Sequence, residues 1–438
     1  MWLRKGLLVV STTTLLSGYM VNASATSITF SGFADFTAGN VLGGSGPSNY
    51  QIPAFLPNGV NSPTSLYPSY KCPCFISNYE YGGIYQHTGW DLANESMVGI
   101  QANAQVNDQL SAVVQIDARG LDGYQPTVDW AYTSYNLTNT LTIQAGRKRL
   151  PLYMYSDYNY VGYAYPWVRP PVDLYGWEVY SYDGINVQYN NAIGDWALMT
   201  NTWAGNSVDP NAPGLTNVYN GFVTDTAWKD IIGTSIDLSN DYVHLRAVYM
   251  QNKVFQGTPN VAINNGQGII SNTIPQTAMF NDTPITNFTY PSSGNPNGVV
   301  NNNLVWGTLQ QVWGAAFNID YNNILWRSEY NFVRRPQMGY VAPSLLAGAG
   351  YKYGQVTAMY TYSQYWESDS WLHTFPQRDN TRAVTLRWDF RPSVCLKLQY
   401  DLFMDHSVGY TAPGQVAPSS DWFLGSSKLL TASLDMVF

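Results

Sequence analysis

The chain has 438 residues, of which 11% are charged and 15% aromatic, with 34 Tyr and 37 Gly. That is too aromatic and too weakly charged for a disordered chain, and the length fits two or three soluble domains or one large barrel. Acidic residues outnumber basic ones, 29 to 21, which argues against nucleic acid as a partner.

Residues 1–25 read as a secretory leader. Arg4 and Lys5 form a basic end, Leu7 to Tyr19 a mixed apolar segment, and Ala23-Ser24-Ala25 a small-residue cleavage site. Losing the leader leaves 19 basic against 29 acidic residues. No later segment approaches the roughly 18 consecutive apolar residues of a membrane-crossing helix, so any span in residues 26–438 is expected to be β. Three cysteines are too few, and oddly numbered, for a disulfide framework. For the Cys72-Pro73-Cys74 triplet a local disulfide, a metal ligand pair and two free thiols all stay open.

The first strand is Ile28 to Phe36, ITFSGFADF, which alternates cleanly. After an irregular stretch, Val98, Ile100, Ala102, Ala104 and Val106 share one face, opposite Gly99, Gln101, Asn103 and Gln105. Beyond an Asn107-Asp108 turn the pattern resumes, with Leu110, Ala112, Val114, Ile116 and Ala118 against Ser111, Gln115, Asp117 and Arg119. This is period two, with one apolar and one polar face. Further strands are predicted at 127–137, 140–147, 183–190, 194–203, 229–239, 242–251, 309–320 and 323–333. The series continues at 346–353, 355–365, 381–391, 394–405 and 428–438, giving sixteen in all.

Connection length alternates along the series. Asn107-Asp108, Thr138-Asn139, Asn190 to Gly194, Asn240-Asp241, Asn322-Asn323, Gly354 and Pro392-Ser393 are turn-like. The long connections are 37–94, 120–126, 147–183, 204–228, 252–308, 334–345, 366–380 and 406–427. All long ones therefore fall at one end of the sheet, as in outer-membrane barrels with short periplasmic turns and long extracellular loops. A soluble sandwich has no reason to sort its loops in this way. In the last strand Leu430, Ala432, Leu434, Met436 and Phe438 oppose Thr431, Ser433 and Asp435. In lipid such strands must close, because every backbone group has to be paired within the protein. Tyr132, Tyr249, Trp313, Trp326, Trp388 and Tyr400 are candidates for an interfacial aromatic girdle.

The stretch from Arg147 to Asp183 follows neither period. It holds nine Tyr, two Trp, four Pro and eight charged residues. Pro151, Pro166, Pro170 and Pro171 exclude a long helix or a central strand. So many aromatics demand a surface to pack on, and the expectation is a loop folded into the lumen.

With this stretch between the fifth and sixth predicted strands, the chain resembles the trimeric 16-stranded general-diffusion porins of Gram-negative outer membranes. The leader, the opening ITFSGFADF, the Gly146-Arg147 start of the stretch and the terminal Phe438 add to the likeness. The resemblance implies an all-β transmembrane antiparallel barrel with 147–183 as constriction loop and 37–94 and 252–308 as long extracellular loops. It also implies outer-membrane lipid as surroundings, a homotrimer, small hydrophilic solutes and Phe438 as an assembly signal.

Enzyme signatures are missing: the chain has no G-x-S-x-G elbow and no P-loop. Asp209-x-Asn211 before Gly214 faintly suggests a calcium loop, but Pro213 and Asn220 replace ligands. His87, His244, His373 and His406 are scattered. No catalytic group, metal or cofactor is expected. What remains is pore chemistry, since charges across a narrow wet gap sieve solutes by charge and dipole. The wall set comprises Asp117, Arg119, Arg246, Arg327, Glu329, Lys352, Arg387, Asp389, Lys397 and Asp401, with Asp237 and Asp435 at the same parity. The loop set is Arg147, Lys148, Arg149, Asp157, Arg169, Asp173, Glu178 and Asp183. The rival readings are a substrate-specific channel, suggested by the aromatic loop, and a secreted β-rich binding protein or adhesin, suggested by the long loops.

Overall fold

The computed structural model describes residues 27–45, 69–177, 179–210, 225–257, 305–368, 377–406 and 425–438, with short pieces at 50–51, 212–214, 261–264, 267–270 and 299–300. The leader, Glu178, His373 and most of 252–308 lie outside the described residues.

Sixteen strands form one closed antiparallel barrel. Its first half runs β1 (Ser27–Ser45), β2 (Met97–Gln105), β3 (Leu110–Arg119), β4 (Pro126–Asn136), β5 (Leu141–Arg149), β6 (Ser181–Ile193), β7 (Trp196–Asp209) and β8 (Asp225–Ser239). The second half is β9 (Val243–Gly257), β10 (Val305–Tyr321), β11 (Ile324–Arg335), β12 (Tyr340–Tyr353), β13 (Val356–Trp366), β14 (Arg378–Arg391), β15 (Val394–Asp405) and β16 (Ser426–Val437). Each predicted strand has its counterpart. The seam closes where β1 meets β16, with Phe33 opposite Val437 and Asp35 opposite Asp435. Phe438 extends that seam through paired backbone bonds with Gly32 at 2.8 and 3.0 Å.

The alternation read from sequence sorts side chains between two environments. Ile100, Val114, Ile185, Ile236, Val384, Leu396 and Leu398 stand exposed on the outer wall. Gln115, Asn186, Ser235, Thr361, Thr385, Gln399 and Thr431 are buried on the inner one. An apolar outer band and fully paired strands are what a bilayer requires. Trp313, Trp326 and Trp388 face outward, but Tyr132 does not belong to a girdle. It faces inward, with the Lys148 ammonium 4.9 Å from its ring centre.

Several strands outrun their predicted limits, and they do so toward the long loops. β1 continues from Phe36 to Ser45, and β9 from Gln251 to Gly257. Crossing a bilayer takes only about 9–11 residues; beyond it, the two faces no longer meet different solvents and the alternation fades. At the opposite end the turns are short. Asn322 and Asn323 both take positive φ (48° and 67°), the backbone of a two-residue hairpin matched to strand twist.

Two connections read as long are short. The connection at 120–125 is built on a 3₁₀ turn, Gly120–Asp122, and 334–345 shrinks to Pro336–Gly339 because β12 already begins at Tyr340. Pro343 is tolerated within β12 because pairing to β13 starts only at Ser344. The first long loop is also not purely a surface loop. Phe75–Asn78 pairs with Gly83–Tyr85 as a small hairpin. It packs with Cys72, Cys74, Ile76 and Tyr79 against Val41, Phe403 and Leu429 of the barrel and Val172 of the inner segment. Cys72 and Cys74 are joined by a disulfide.

Candidate functional site: the occluded lumen

The strands β5 and β6 separate after Arg149 and rejoin at Ser181. The residues between them fold inside the barrel. Proline rings and two short 3₁₀ turns, Ser156–Tyr158 and Gly162–Ala164, bend this inner segment, so its backbone groups must find partners elsewhere. The wall supplies them. Glu329 on β11 accepts from Met154 N (3.1 Å) and Tyr175 OH (2.7 Å). Arg246 on β9 donates to the Pro151 carbonyl, and Asn318 on β10 to Tyr155 OH at 3.1 Å. Trp167 Nε1 donates to Thr361 Oγ1 on β13 at 2.7 Å. Gln399 on β15 accepts from Val168 N at 2.9 Å, and Arg387 on β14 caps the Tyr163 and Tyr165 carbonyls at 2.8 and 2.9 Å. Gly162 N reaches Asp35 on β1 at 3.1 Å. A side chain on Gly162 would meet Asp35 Oδ1 at 2.8 Å, so that contact needs glycine. The segment is thus tied to seven strands spread around the barrel.

Its aromatic rings fill the space between those ties. Tyr155 and Trp167 meet edge to face at 5.4 Å, and Tyr153 and Tyr175 lie 4.6 Å apart. Leu152, Met154, Leu174 and Trp177 join Trp203, Trp228, Met250, Val333 and Met359 of the wall in one apolar cluster.

Many charges in the lumen are paired, and most of those pairs are buried. Arg169 of the inner segment bridges Glu95 at 2.7 Å and Asp401 at 2.6 Å. Lys397 binds Asp435 at 2.8 Å and donates to the carbonyls of Gly162 and Trp167. Arg149 pairs with Asp129 at 2.8 Å and Arg119 with Asp117. The Tyr160 ring lies between the two guanidinium groups, 3.8 Å from Arg149 and 4.5 Å from Arg119. Asp173 accepts from Ser363 and Thr381, and Asp237 from Arg246 at 3.0 Å. At the short-turn end Arg327 pairs with Asp320 at 2.7 Å and Arg387 with Asp389 at 2.8 Å.

No family model and no curated protein matches the chain. Solved structures do match. The outer membrane channel DcaP of Acinetobacter baumannii aligns over 97% of this chain and 100% of its own, with a TM-score of 0.52 at 9% identity. A loop L8 deletion mutant of the Vibrio cholerae outer membrane protein OmpT covers 94% and 99%, with 0.51 at 11%. The fold is that of a sixteen-stranded bacterial outer-membrane barrel.

Within this barrel the predicted wall residues Asp117, Arg119, Arg246, Arg327, Glu329, Lys352, Arg387, Asp389, Lys397 and Asp401 all have lumen parity. Lys352 differs from the rest, standing exposed beside the Gly354 turn. Of the loop set, Lys148, Arg149, Arg169 and Asp173 are buried inside, and Asp157 is exposed on the Ser156–Tyr158 turn. Arg147 and Asp183 require correction. They belong to β5 and β6 and pair with each other at 3.0 Å, with side chains 41% and 58% exposed. Their parity is that of Ala145 and Ile185 on the outer face, so neither lines the lumen.

Sequence reasoning missed Asp35, Glu80, Glu95, Asp129 and Asp379. Asp35 shares parity with Ser31 and Phe33, which was readable. Asp129 was hidden by a bulge opposite Gln115 and Ile116, where one extra residue breaks the alternation. The three described histidines form no cluster: His87 contacts the Val41 carbonyl, His244 Asp237 and His406 Asn380.

Glu80, at the tip of the small hairpin, is buried with Oε2 unpartnered in the protein. Burial pushes its carboxyl up to about 8, against the opposing pull of Arg149 and Arg119. The folded hairpin therefore keeps a proton that the open chain releases from about pH 4.5 upward. The Glu80 contribution to docking is expected to be greatest in acid and to be lost as pH rises from about 4.5 to 8. Hydrogen exchange of the 75–85 amides, corrected for intrinsic rates, is expected to show at least tenfold more frequent opening at pH 9 than at pH 5. Glu80→Gln should remove that difference; an unchanged profile in the variant would assign it to another group.

Proposed function

We propose that the protein is an outer-membrane channel that passes small hydrophilic solutes by passive diffusion and selects among them at the occluded lumen. The observation that carries this reading is the inner segment, pinned across the barrel by buried charge pairs and carbonyl ties. A barrel of sixteen strands leaves an aqueous channel unless something fills it, and filling it with paired charges and tyrosines narrows the path without sealing it in lipid-like material. Arg119, Arg149, Arg169 and Lys397 against Asp117, Asp129, Glu95, Asp401 and Asp435 set local fields along that path, which discriminate by charge and dipole. Lys148, Asp157, Asp173 and, by sequence position, Glu178 complete the set.

This favours a substrate-selective channel over an unselective one, and no catalytic step is part of the proposal. The apolar outer wall faces outer-membrane lipid. A trimer is included because a further neighbour, in-vitro folded OmpT of Vibrio cholerae in its trimer form, shares the fold (TM-score 0.50, 11% identity, 95% and 100% covered). Phe438, 67% exposed at the end of β16, is assigned the role of assembly signal.

The test is a planar-bilayer recording under a KCl gradient. Small ohmic steps in groups of three, with a reversal potential displaced from zero, are expected. Silence from correctly folded protein would turn the reading toward a plugged barrel that works at its surface.

A further inference from the structure

A cavity of about 70 Å³ lies under the small hairpin, between the inner segment and the wall formed by β1–β3. Asp35, Arg119, Asn94, Asn159, Ser77 and Tyr160 line it. All six are at least nine-tenths buried, and each carries polar side-chain atoms with no partner in the protein. These are Asp35 Oδ1, Asn94 Oδ1 and Asn159 Oδ1 as acceptors, Arg119 Nε and Nη1 as donors, and the Ser77 and Tyr160 hydroxyls. Unpartnered buried polar atoms are costly and rare one at a time. Seven around one cavity require a common explanation.

Their types define what would satisfy them. Three oxygens, one of them a carboxylate, match the three N–H bonds of an ammonium group. The Arg119 guanidinium keeps donors on Nε and Nη1, and either can give a carboxylate a charge-assisted bond, the pairing that is strongest away from water. The two hydroxyls serve either end. Asp35 and Arg119 stand on one row of the wall, since Asp35 is opposite Met97 on β2 and Met97 opposite Arg119 on β3. Their backbones are therefore about 10 Å apart, two strand spacings, and both residues line the cavity. The Arg119 guanidinium is held between the Tyr81 and Tyr160 rings, 4.2 and 4.5 Å from their centres, which fixes its plane.

We propose that this cavity binds a small zwitterionic amino acid, its ammonium group toward Asp35, Asn94 and Asn159 and its carboxylate toward Arg119. A solute with only one charge leaves one set of groups unpartnered, and a neutral polyol offers neither a cation to Asp35 Oδ1 nor an anion to the remaining Arg119 donors. A cavity of this size suits the smallest amino acids, glycine and alanine. The inference rests on the channel reading for its biological use, since it names the solute class selected, but the binding site stands or falls by itself.

Isothermal titration of the folded protein in detergent tests it, with glycine, alanine, acetate, methylammonium and glycerol as probes. Saturable binding of glycine and alanine, at least tenfold tighter than of the other three, is expected. Asn159→Leu removes an acceptor that is unpartnered in the protein, so it should weaken alanine binding about tenfold without lowering the unfolding temperature. Asp35→Asn should weaken alanine and leave acetate unchanged. Equal heats from all five probes, no saturation, or full affinity in both variants would overturn the assignment. The KCl conductance of the same preparation separates the two readings. Current without amino-acid binding refutes only the site, and binding without current refutes only the channel.

Discussion

Replacing Lys397 with Met is expected to destabilise the barrel by about 3–5 kcal/mol, the usual cost of stranding one half of a buried ion pair. The ammonium group is fully buried, and each of its three N–H bonds has an acceptor: Asp435, the Gly162 carbonyl and the Trp167 carbonyl. Asp35 sits opposite Asp435 across the closing seam, so one lysine compensates a pair of carboxylates. Methionine matches the length of the side chain and keeps its packing, which isolates the electrostatic loss from a cavity. Two carbonyls of the inner segment lose their donor as well, so the effect should extend to the segment's position. Urea unfolding of the reconstituted barrel measures the first effect. The double variant Lys397→Met with Asp435→Asn should recover part of the loss, because the stranded charge is gone. A single variant within about 1 kcal/mol of the parent would mean that water, not lysine, stabilises these carboxylates.

The barrel was legible because lipid imposes a strict rule. Each strand must show an apolar side, and each connection must be short on one end, so sixteen strands followed from periodicity and their order from connection length. The same rule contained the answer for Arg147 and Asp183: Leu141, Ile143 and Ala145 lead directly to Arg147 on the outer face, and Ile185 and Val187 share the face of Asp183. Grouping both residues with the aromatic stretch overrode that parity. Inside the barrel no comparable rule exists. The inner segment was visible as an aromatic, proline-rich interruption, but its ties to Glu329, Gln399 and Asp35 join residues 127 to 231 positions apart. The hairpin of Phe75–Asn78 and Gly83–Tyr85 was missed because its strands are too short for any period to register. Glu80, Asn94 and Glu95 acquire their burial only through that hairpin and the segment beneath it.

Replacing residues 152–178 with a short Gly-Ser turn is expected to raise single-channel conductance at least fivefold. The ends of the segment are already adjacent: Leu150 N bonds to the Tyr180 carbonyl at 2.7 Å, and Arg149 lies opposite Ser181. A turn of a few residues can therefore close β5 to β6 without moving either strand. The wall should survive, since its closure rests on sixteen strand pairings and not on the aromatic cluster. What disappears is the material filling the lumen, together with the floor on which Val172 supports the hairpin. Glu329, Asp401 and Lys397 then face water, where their charges are solvated and screened at a Debye length of about 8 Å, so selectivity should fall as conductance rises. Ion selectivity and alanine binding measured on the same protein would follow that loss. A folded variant with parental conductance would place the restriction elsewhere in the barrel and remove the inner segment from the transport path.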